Sequence, residues 1–184
     1  MNNSYIYPVN ANSKPEVYNP YIENFILYLS SRFNFLNKND YSKVGILNIV
    51  KYHFRIKYIF LHWIENVPDR KFGVLQSLFF ILYLFVFKGN RKIVWVMHNR
   101  ISHFKEHLYL KRLLFKLVLK KSYFIFTHSS DGVEYARELG RTDNVVYLAH
   151  PVVFHENASQ VKEFDILIWG SILPYKGIDS FYNI

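Results

Sequence analysis

The sequence predicts an α/β fold with a parallel sheet that carries helices on both faces. Three observations lead to this prediction. Short strand-like runs alternate along the chain with longer helical runs, an order typical of parallel sheets. The strand-like runs are apolar on both of their faces, as strands covered by helices on each side must be. Half of the residues, 51%, are hydrophobic and only 20% are charged, which excludes intrinsic disorder.

The first half of the chain supplies three strands and two helical segments. A strand is predicted at 5–9, and Pro8 weakens its end because proline cannot donate a hydrogen bond to a neighbouring strand. Asn19 and Pro20 are residue types that begin helices, so a helix is expected from there to about Ser31. The remaining elements are a strand at 33–36, a helical segment at 44–54 and a strand at 57–61.

The second half supplies three more strands and three helices. An apolar run predicts one long helix at 69–88, and Gly140 ends a second helix that Ser130 and Asp131 begin. The other elements are strands at 92–97, 123–127 and 144–148 and a basic amphipathic helix at 106–121.

The chain divides into two domains of unequal length. Residues 1–151 suit a single Rossmann-like domain, and the polar, aperiodic segment 152–163 suits a linker. Residues 164–184 hold one further strand and part of a helix. These cannot bury a core, so we expect them to begin a second domain of a longer protein.

Composition excludes several functional classes. The chain has no cysteine, which rules out disulfides, thiolate metal sites and a cysteine nucleophile. Its first residues have neither the basic nor the apolar part of a signal peptide. The apolar run at 72–87 is shorter than the roughly 20 residues of a membrane span. It is interpreted as a buried or interfacial helix, with a membrane span or a re-entrant segment as the alternatives.

The surplus positive charge lies in one segment. The chain has a formal net charge of +9, and Lys88 to Lys121 holds ten basic residues and one acid, Glu106. The helix in this segment repeats basic residues at helical spacing, which predicts contact with an anionic membrane surface. A solvated basic face is an equally strong alternative, and no recognised nucleic-acid module supports nucleic-acid binding. The predicted membrane-surface residues are Lys111, Arg112, Lys116 and Lys120.

Four consecutive predicted strands end in a histidine. The four are His62, His98, His128 and His150. Since ligands of parallel sheets bind beyond the carboxyl ends of the strands, these imidazoles are placed to bind hydroxyl or phosphate groups or to transfer protons. One histidine in such a place is more often structural, but the repetition favours a function for at least one. His98 is favoured because its strand is the most apolar.

Other candidate sites have weak support. His103 and His107 could share a metal from one helix face, but no third ligand lies near them in sequence, so no metal site is predicted. The glycine-rich motifs of dinucleotide-binding and P-loop proteins are absent, as are a nucleophile elbow and an obvious carboxylate pair.

Several of these features together resemble the GT-B glycosyltransferases, in particular the retaining, nucleotide-sugar-dependent enzymes of family 4. The resemblance covers nearly the whole chain and depends on the order of its parts. It begins with Asn19-Pro20-Tyr21, continues with His62-Trp63, His98-Asn99, His128-Ser129 and His150-Pro151, and ends with the Gly170 to Gly177 segment.

The resemblance implies that residues 1–151 form the acceptor-side domain and that residues 164–184 begin the domain that binds the nucleotide-sugar donor. No other cofactor is implied. His98 matches the catalytic position beside the transferred sugar. The implied donor-binding residues are Gly170, Ser171, Lys176, Gly177 and His128, and the implied acceptor-binding residues are Asn19, Tyr21, His62 and Asn99. The family commonly has arginine where this chain has Ser171.

The implied function is transfer of a hexosyl unit from a nucleotide sugar to a glycan or lipid-linked acceptor. The implied location is the cytoplasm, at the inner face of the cell membrane. Because the donor domain is only begun, the 184 residues alone are expected to be inactive. The alternative is a non-catalytic, membrane-associated Rossmann-like module that serves a partner subunit.

Overall fold

The computed structural model of this chain describes residues 1–9, 20–40, 42, 44–99 and 106–149. The described residues belong to one unit, Met1–Ala149. Its six strands are β1 (Asn2–Tyr7), β2 (Phe33–Phe35), β3 (Tyr58–His62), β4 (Lys92–Met97), β5 (Phe124–Thr127) and β6 (Val145–Tyr147). The predicted linker at 152–163 and the segment 164–184 lie outside the described residues.

The six strands form one parallel sheet in the order β2-β1-β3-β4-β5-β6. The predicted α/β fold with a Rossmann-like parallel sheet is therefore confirmed. β2 lies on one side of β1, and β3 to β6 follow in sequence order on the other side. This reversal of strand order beside β1 is the place where open α/β sheets bind their ligands, beyond the carboxyl ends of the strands.

Within the described residues, five α-helices connect the strands. They are α1 (Tyr21–Leu29), α2 (Ile49–Tyr52), α3 (Gly73–Leu82), α4 (Leu108–Lys121) and α5 (Ser130–Glu138). Short 3₁₀ turns cover Gly45–Asn48, His53–Arg55 and Ile64–Asp69, and a π-helical turn covers Tyr83–Phe87. None of the helices within the described ranges is long and apolar enough to cross a membrane.

The predicted long helix at 69–88 is wrong at both of its ends. Its first residue belongs to a 3₁₀ turn that contains Pro68, and Phe72 has a positive φ of 56°. Proline lacks the backbone N–H that a helix interior needs, and a left-handed residue cannot continue a right-handed helix. The α-helix therefore begins only at Gly73 and passes into the π-helical turn after Leu82.

Helices cover both faces of the sheet. On one face Trp95 and its neighbours from β1, β3 and β5 pack against residues of α2 to α5, such as Phe80 and Phe115. On the other face Ile22 and Phe25 of α1 pack against Phe60 and the residues around it. The continuous apolar character of the strands follows from this double coverage.

A methyl group at Gly73 has no room. A Cβ built there would overlap the carbonyl oxygen and carbon of Pro68, which are backbone atoms that cannot move aside. We expect Gly73→Ala to lower the free energy of unfolding by about 2 kcal/mol, despite the better helix propensity of alanine. Urea denaturation measures the change. Val74→Ala at the next, exposed position is the control, and equal stability of the two variants would contradict this packing.

Candidate functional site

Three of the four predicted histidines meet at one edge of the sheet. His62 is the last residue of β3, His98 follows β4 and His128 follows β5. These strands are parallel neighbours, so their carboxyl ends lie at the same edge, next to the reversal of strand order. His150 lies outside the described residues.

The imidazoles of His62 and His98 are joined directly. Nδ1 of His62 lies 3.2 Å from Nε2 of His98, so the N–H of one ring donates a hydrogen bond to the nitrogen of the other. The ring of Trp63 stacks on His98 with centroids 4.1 Å apart and planes within 14° of parallel. Trp63 can turn back over the edge because its φ is positive, at 45°. The plane of the His98 ring is thus fixed from two sides.

Tyr21, the first residue of α1, lies at the centre of the cluster. Its ring makes edge contacts with His62, Trp63, His98 and His128, with centroids 5.1 to 5.8 Å apart. Its hydroxyl lies 2.9 Å from Nε2 of His128. Burial raises the pKa of Tyr21 to about 12, so the hydroxyl keeps its proton. We call these five side chains the Tyr21 cluster.

His128 uses both ring nitrogens inside the chain. Its Nδ1 lies 2.7 Å from the carbonyl oxygen of Leu148, and a carbonyl only accepts, so Nδ1 carries a proton. In the neutral ring Nε2 then accepts from the Tyr21 hydroxyl. His128 therefore positions Tyr21, and its predicted donor binding stays a prediction.

His62 corrects another sequence expectation. It was expected to contact an acceptor, but its side chain is 0% exposed. Burial holds the pKa of His62 well below its usual range, and the neighbouring His98 and His128 lower it further. His62 is therefore a neutral group beneath the surface that orients His98, which is half-buried.

Sequence reasoning missed Glu65. This residue lies in the 3₁₀ turn after β3, two positions beyond Trp63, and its side chain is 2% exposed. The side chain of Asn99 hydrogen-bonds to its carboxyl group, yet burial dominates and raises the pKa of Glu65 to about 7. Its Oε1 has no hydrogen-bond partner among the described residues. The only signal in the sequence was a carboxylate close behind a buried strand.

Lys111 corrects the predicted basic surface. Its ammonium group is buried and pairs with the Asp69 carboxylate at 2.7 Å, so it cannot contact a membrane. It lies on the inward stripe of α4 with Leu114 and Val118. The other three predicted membrane-surface residues, Arg112, Lys116 and Lys120, are exposed.

The remaining predicted residues divide into described and undescribed positions. Asn99 is half-buried beside Glu65, and His107 precedes α4 with a positive φ. No group of three or more potential ligands suited to a metal ion occurs in the part of the chain that the structure describes. The positions outside that part are Asn19, His103, Gly170, Ser171, Lys176 and Gly177.

The raised pKa of Glu65 predicts a pH-dependent stability. The pKa of the carboxyl group is near 4.5 in the unfolded chain and about 7 in the folded one, so between these values the folded state binds more protons. Stability therefore falls as pH rises through this window. We expect Glu65→Gln to match the wild type at about pH 4 and to exceed its free energy of unfolding by about 3 kcal/mol at about pH 8.5.

Urea denaturation across this pH range measures the difference between Glu65→Gln and the wild type. Other titrating groups, including buried His62, contribute equally to both proteins and cancel. Glu134→Gln, at an exposed position of α5, is the matched control. Its difference from the wild type in free energy of unfolding should not grow with pH. A constant difference between Glu65→Gln and the wild type at all pH values would contradict the burial of this carboxyl group.

Comparison of the chain with protein-family models, with curated proteins and with solved structures finds no match in any of the three.

Proposed function

We propose that this protein is a glycosyltransferase that moves a hexosyl unit from a nucleotide sugar to a hydroxyl group of a glycan or lipid-linked acceptor. The described residues would form its acceptor-side domain. The observation that carries the proposal is the Tyr21 cluster, which places an oriented imidazole and an aromatic face together at the ligand-binding edge of a parallel sheet.

The chemistry of the cluster suits a sugar. A hexose presents hydroxyl groups that need donors and acceptors, and also apolar C–H faces. Trp63 supplies an aromatic surface that is partly exposed, and His98 supplies a ring held in one plane by Trp63 and His62. A fixed ring loses little conformational freedom on binding, so its hydrogen bond to a sugar hydroxyl is worth more.

The reaction has a balanced form. The bond between the anomeric carbon and the diphosphate oxygen breaks, and its electron pair leaves with the nucleoside diphosphate. A bond from the acceptor oxygen to the anomeric carbon forms, and the proton of the acceptor hydroxyl passes to the departing diphosphate oxygen. His98 would bind the transferred sugar. Lys176 and the backbone at Gly170 and Gly177 would stabilise the diphosphate, as their likeness to the family's donor loop suggests.

Asn99 is proposed to contact the acceptor beside His98. Its side chain hydrogen-bonds to the Glu65 carboxyl group, so its orientation depends on a buried residue that does not itself reach the surface. Glu65 is thus a positioning residue for Asn99. Tyr21 closes the same edge from α1.

The test measures release of nucleoside diphosphate by the natural protein. The protein is supplied with membrane-lipid acceptors and with a panel of uridine, guanosine, adenosine and thymidine diphosphate sugars. We expect one donor to give acceptor-dependent release. The absence of release with every donor and acceptor would contradict the enzyme and favour the non-catalytic membrane-associated module.

A further inference from the structure

α3 and the π-helical turn after it bury Gln76 and Ser77 on the same side as core residues such as Phe80, and expose large apolar side chains on the opposite side. Gln76 and Ser77 are buried, at no more than 2% exposure. The opposite side of the same segment consists of large apolar residues that are 44% to 61% exposed. We call these residues the apolar face: Val74, Leu75, Leu78, Leu82, Phe85 and Val86.

Hydrogen bonds fix this orientation. Oε1 of Gln76 accepts from the backbone N–H of Ile46 at 3.1 Å, and its Nε2 donates to the carbonyl of Lys71 at 2.7 Å. The hydroxyl of Ser77 donates to the carbonyl of Gly73 at 2.7 Å. Rotating the helix to bury the apolar face would break the bond between Gln76 and the backbone of Ile46, thirty residues earlier, and leave polar groups unpaired. Six large apolar side chains on one continuous surface indicate an interaction site.

Positive charge surrounds the apolar face. Arg70 and Lys71 precede α3, and Lys88 follows the π-helical turn. From α4, the ammonium group of Lys121 lies 4.8 Å from the ring centre of Phe85. Burial lowers the pKa of Lys88, and the nearby Lys121 lowers it further. No acidic residue occurs from 70 to 105 in the sequence.

We infer that the apolar face docks into the interfacial region of an anionic lipid bilayer. A ten-residue helix of about 15 Å is too short to span a bilayer, but it can lie in the bilayer plane with its apolar side among the acyl chains. The surrounding cations then meet the lipid phosphates. This inference depends on the apolar face and its charges alone and is independent of the proposed reaction.

A second copy of the chain fits this surface less well. An interface between two identical apolar faces would bring Lys71, Lys88 and Lys121 of one copy close to the same cations of the other. Unpaired like charges at an interface oppose association. A bilayer with anionic headgroups supplies the opposite charge around an apolar interior, which matches the arrangement on the protein.

Co-sedimentation of the whole chain with vesicles tests the inference. We expect binding to vesicles of phosphatidylcholine with about one third phosphatidylglycerol, and at least about tenfold weaker binding to phosphatidylcholine alone. Raising the salt from about 50 mM to about 500 mM should weaken the binding. Leu78→Glu with Leu82→Glu should reduce it about tenfold or more, because two charges enter the apolar face.

The matched control is Leu27→Glu with Tyr28→Glu, which adds the same charge at exposed apolar positions of α1. This control should bind vesicles almost as the wild type does. Equal losses in both double variants would show that net charge alone governs binding and would overturn the inference. Wild-type binding by Leu78→Glu with Leu82→Glu, which we call the α3 variant, would also overturn it. A lower oligomeric mass of the α3 variant in sedimentation equilibrium, together with unchanged vesicle binding, would overturn it as well. That result would assign the apolar face to self-association.

The α3 variant should keep the wild-type urea midpoint, since both altered side chains are exposed. Failure of vesicle binding and failure of nucleotide release are separate results, because the vesicle experiment contains no sugar donor. Loss of vesicle binding in the α3 variant with a wild-type midpoint supports docking through this face.

Discussion

Replacement of Asp69 by alanine is expected to lower the free energy of unfolding by about 4 kcal/mol. The Asp69 carboxylate pairs with the ammonium group of Lys111 at 2.7 Å, and the lysine side chain is only 3% exposed. Removing the carboxylate leaves a buried positive charge without its anionic partner. The cost is large because burial has already removed most of the water that would solvate the ammonium group.

The companion variant is Asp69→Ala combined with Lys111→Met, which replaces the buried lysine by an apolar side chain of similar length. We expect the double variant to recover at least about 2 kcal/mol relative to Asp69→Ala, since it removes the buried ammonium group of Lys111. Urea denaturation of the wild type, both single variants and the double variant measures this coupling. A double variant no more stable than Asp69→Ala would contradict the account of Lys111 as a buried, paired cation.

The sheet and the edge at which three histidines meet could be predicted because their signals are local. Continuous apolar runs predict strands covered on both sides, and β4 spans the residues that the pattern predicted, Lys92–Met97. The fold class requires parallel strands, and parallel strands place the residues that follow them at one edge. The meeting of His62, His98 and His128 follows from these two facts alone.

The burial of Lys111 could not be predicted from charge counting. The residue stands at helical spacing from Leu114 and Val118, so the sequence places it on the apolar stripe of α4. A lysine there needs a carboxylate partner, and that partner is more than forty residues earlier in the chain, at the end of a 3₁₀ turn. Only the packing of this turn against α4 shows which lysine is paired and which remain exposed.

The side of α3 that faces the core also could not be predicted from the sequence. A run with apolar residues on almost every side shows no preferred inward face. The choice depends on Gln76, whose amide must satisfy the backbone N–H of Ile46 thirty residues away. Glu65 is a similar case. The sequence shows that Glu65 comes shortly after a predicted strand. Its burial, however, depends on elements that are distant in sequence.

Replacement of His98 by alanine is expected to reduce turnover about 100-fold, the typical cost of removing one group that stabilises the reacting sugar. The effect should fall mainly on kcat if the hydrogen bond is stronger in the transition state than in the ground state. The fold should survive, because His98 is half-buried at the edge of the sheet and the strand beneath it keeps its apolar contacts.

His107→Asn is the matched control for that experiment. His107 is an exposed histidine at a positive φ before α4, and asparagine tolerates this backbone conformation. It lies outside the Tyr21 cluster, so its replacement should leave the rate unchanged. The control separates the loss of a histidine in general from the loss of the one that Trp63 and His62 hold in place.

The measurement that tests the central claim most directly is the rate of nucleoside diphosphate release by the natural protein and by its His98→Ala and His107→Asn variants. The account predicts a rate about 100-fold lower for His98→Ala and a wild-type rate for His107→Asn. A His98→Ala rate within about twofold of the wild type would place the reaction away from the Tyr21 cluster and contradict the account.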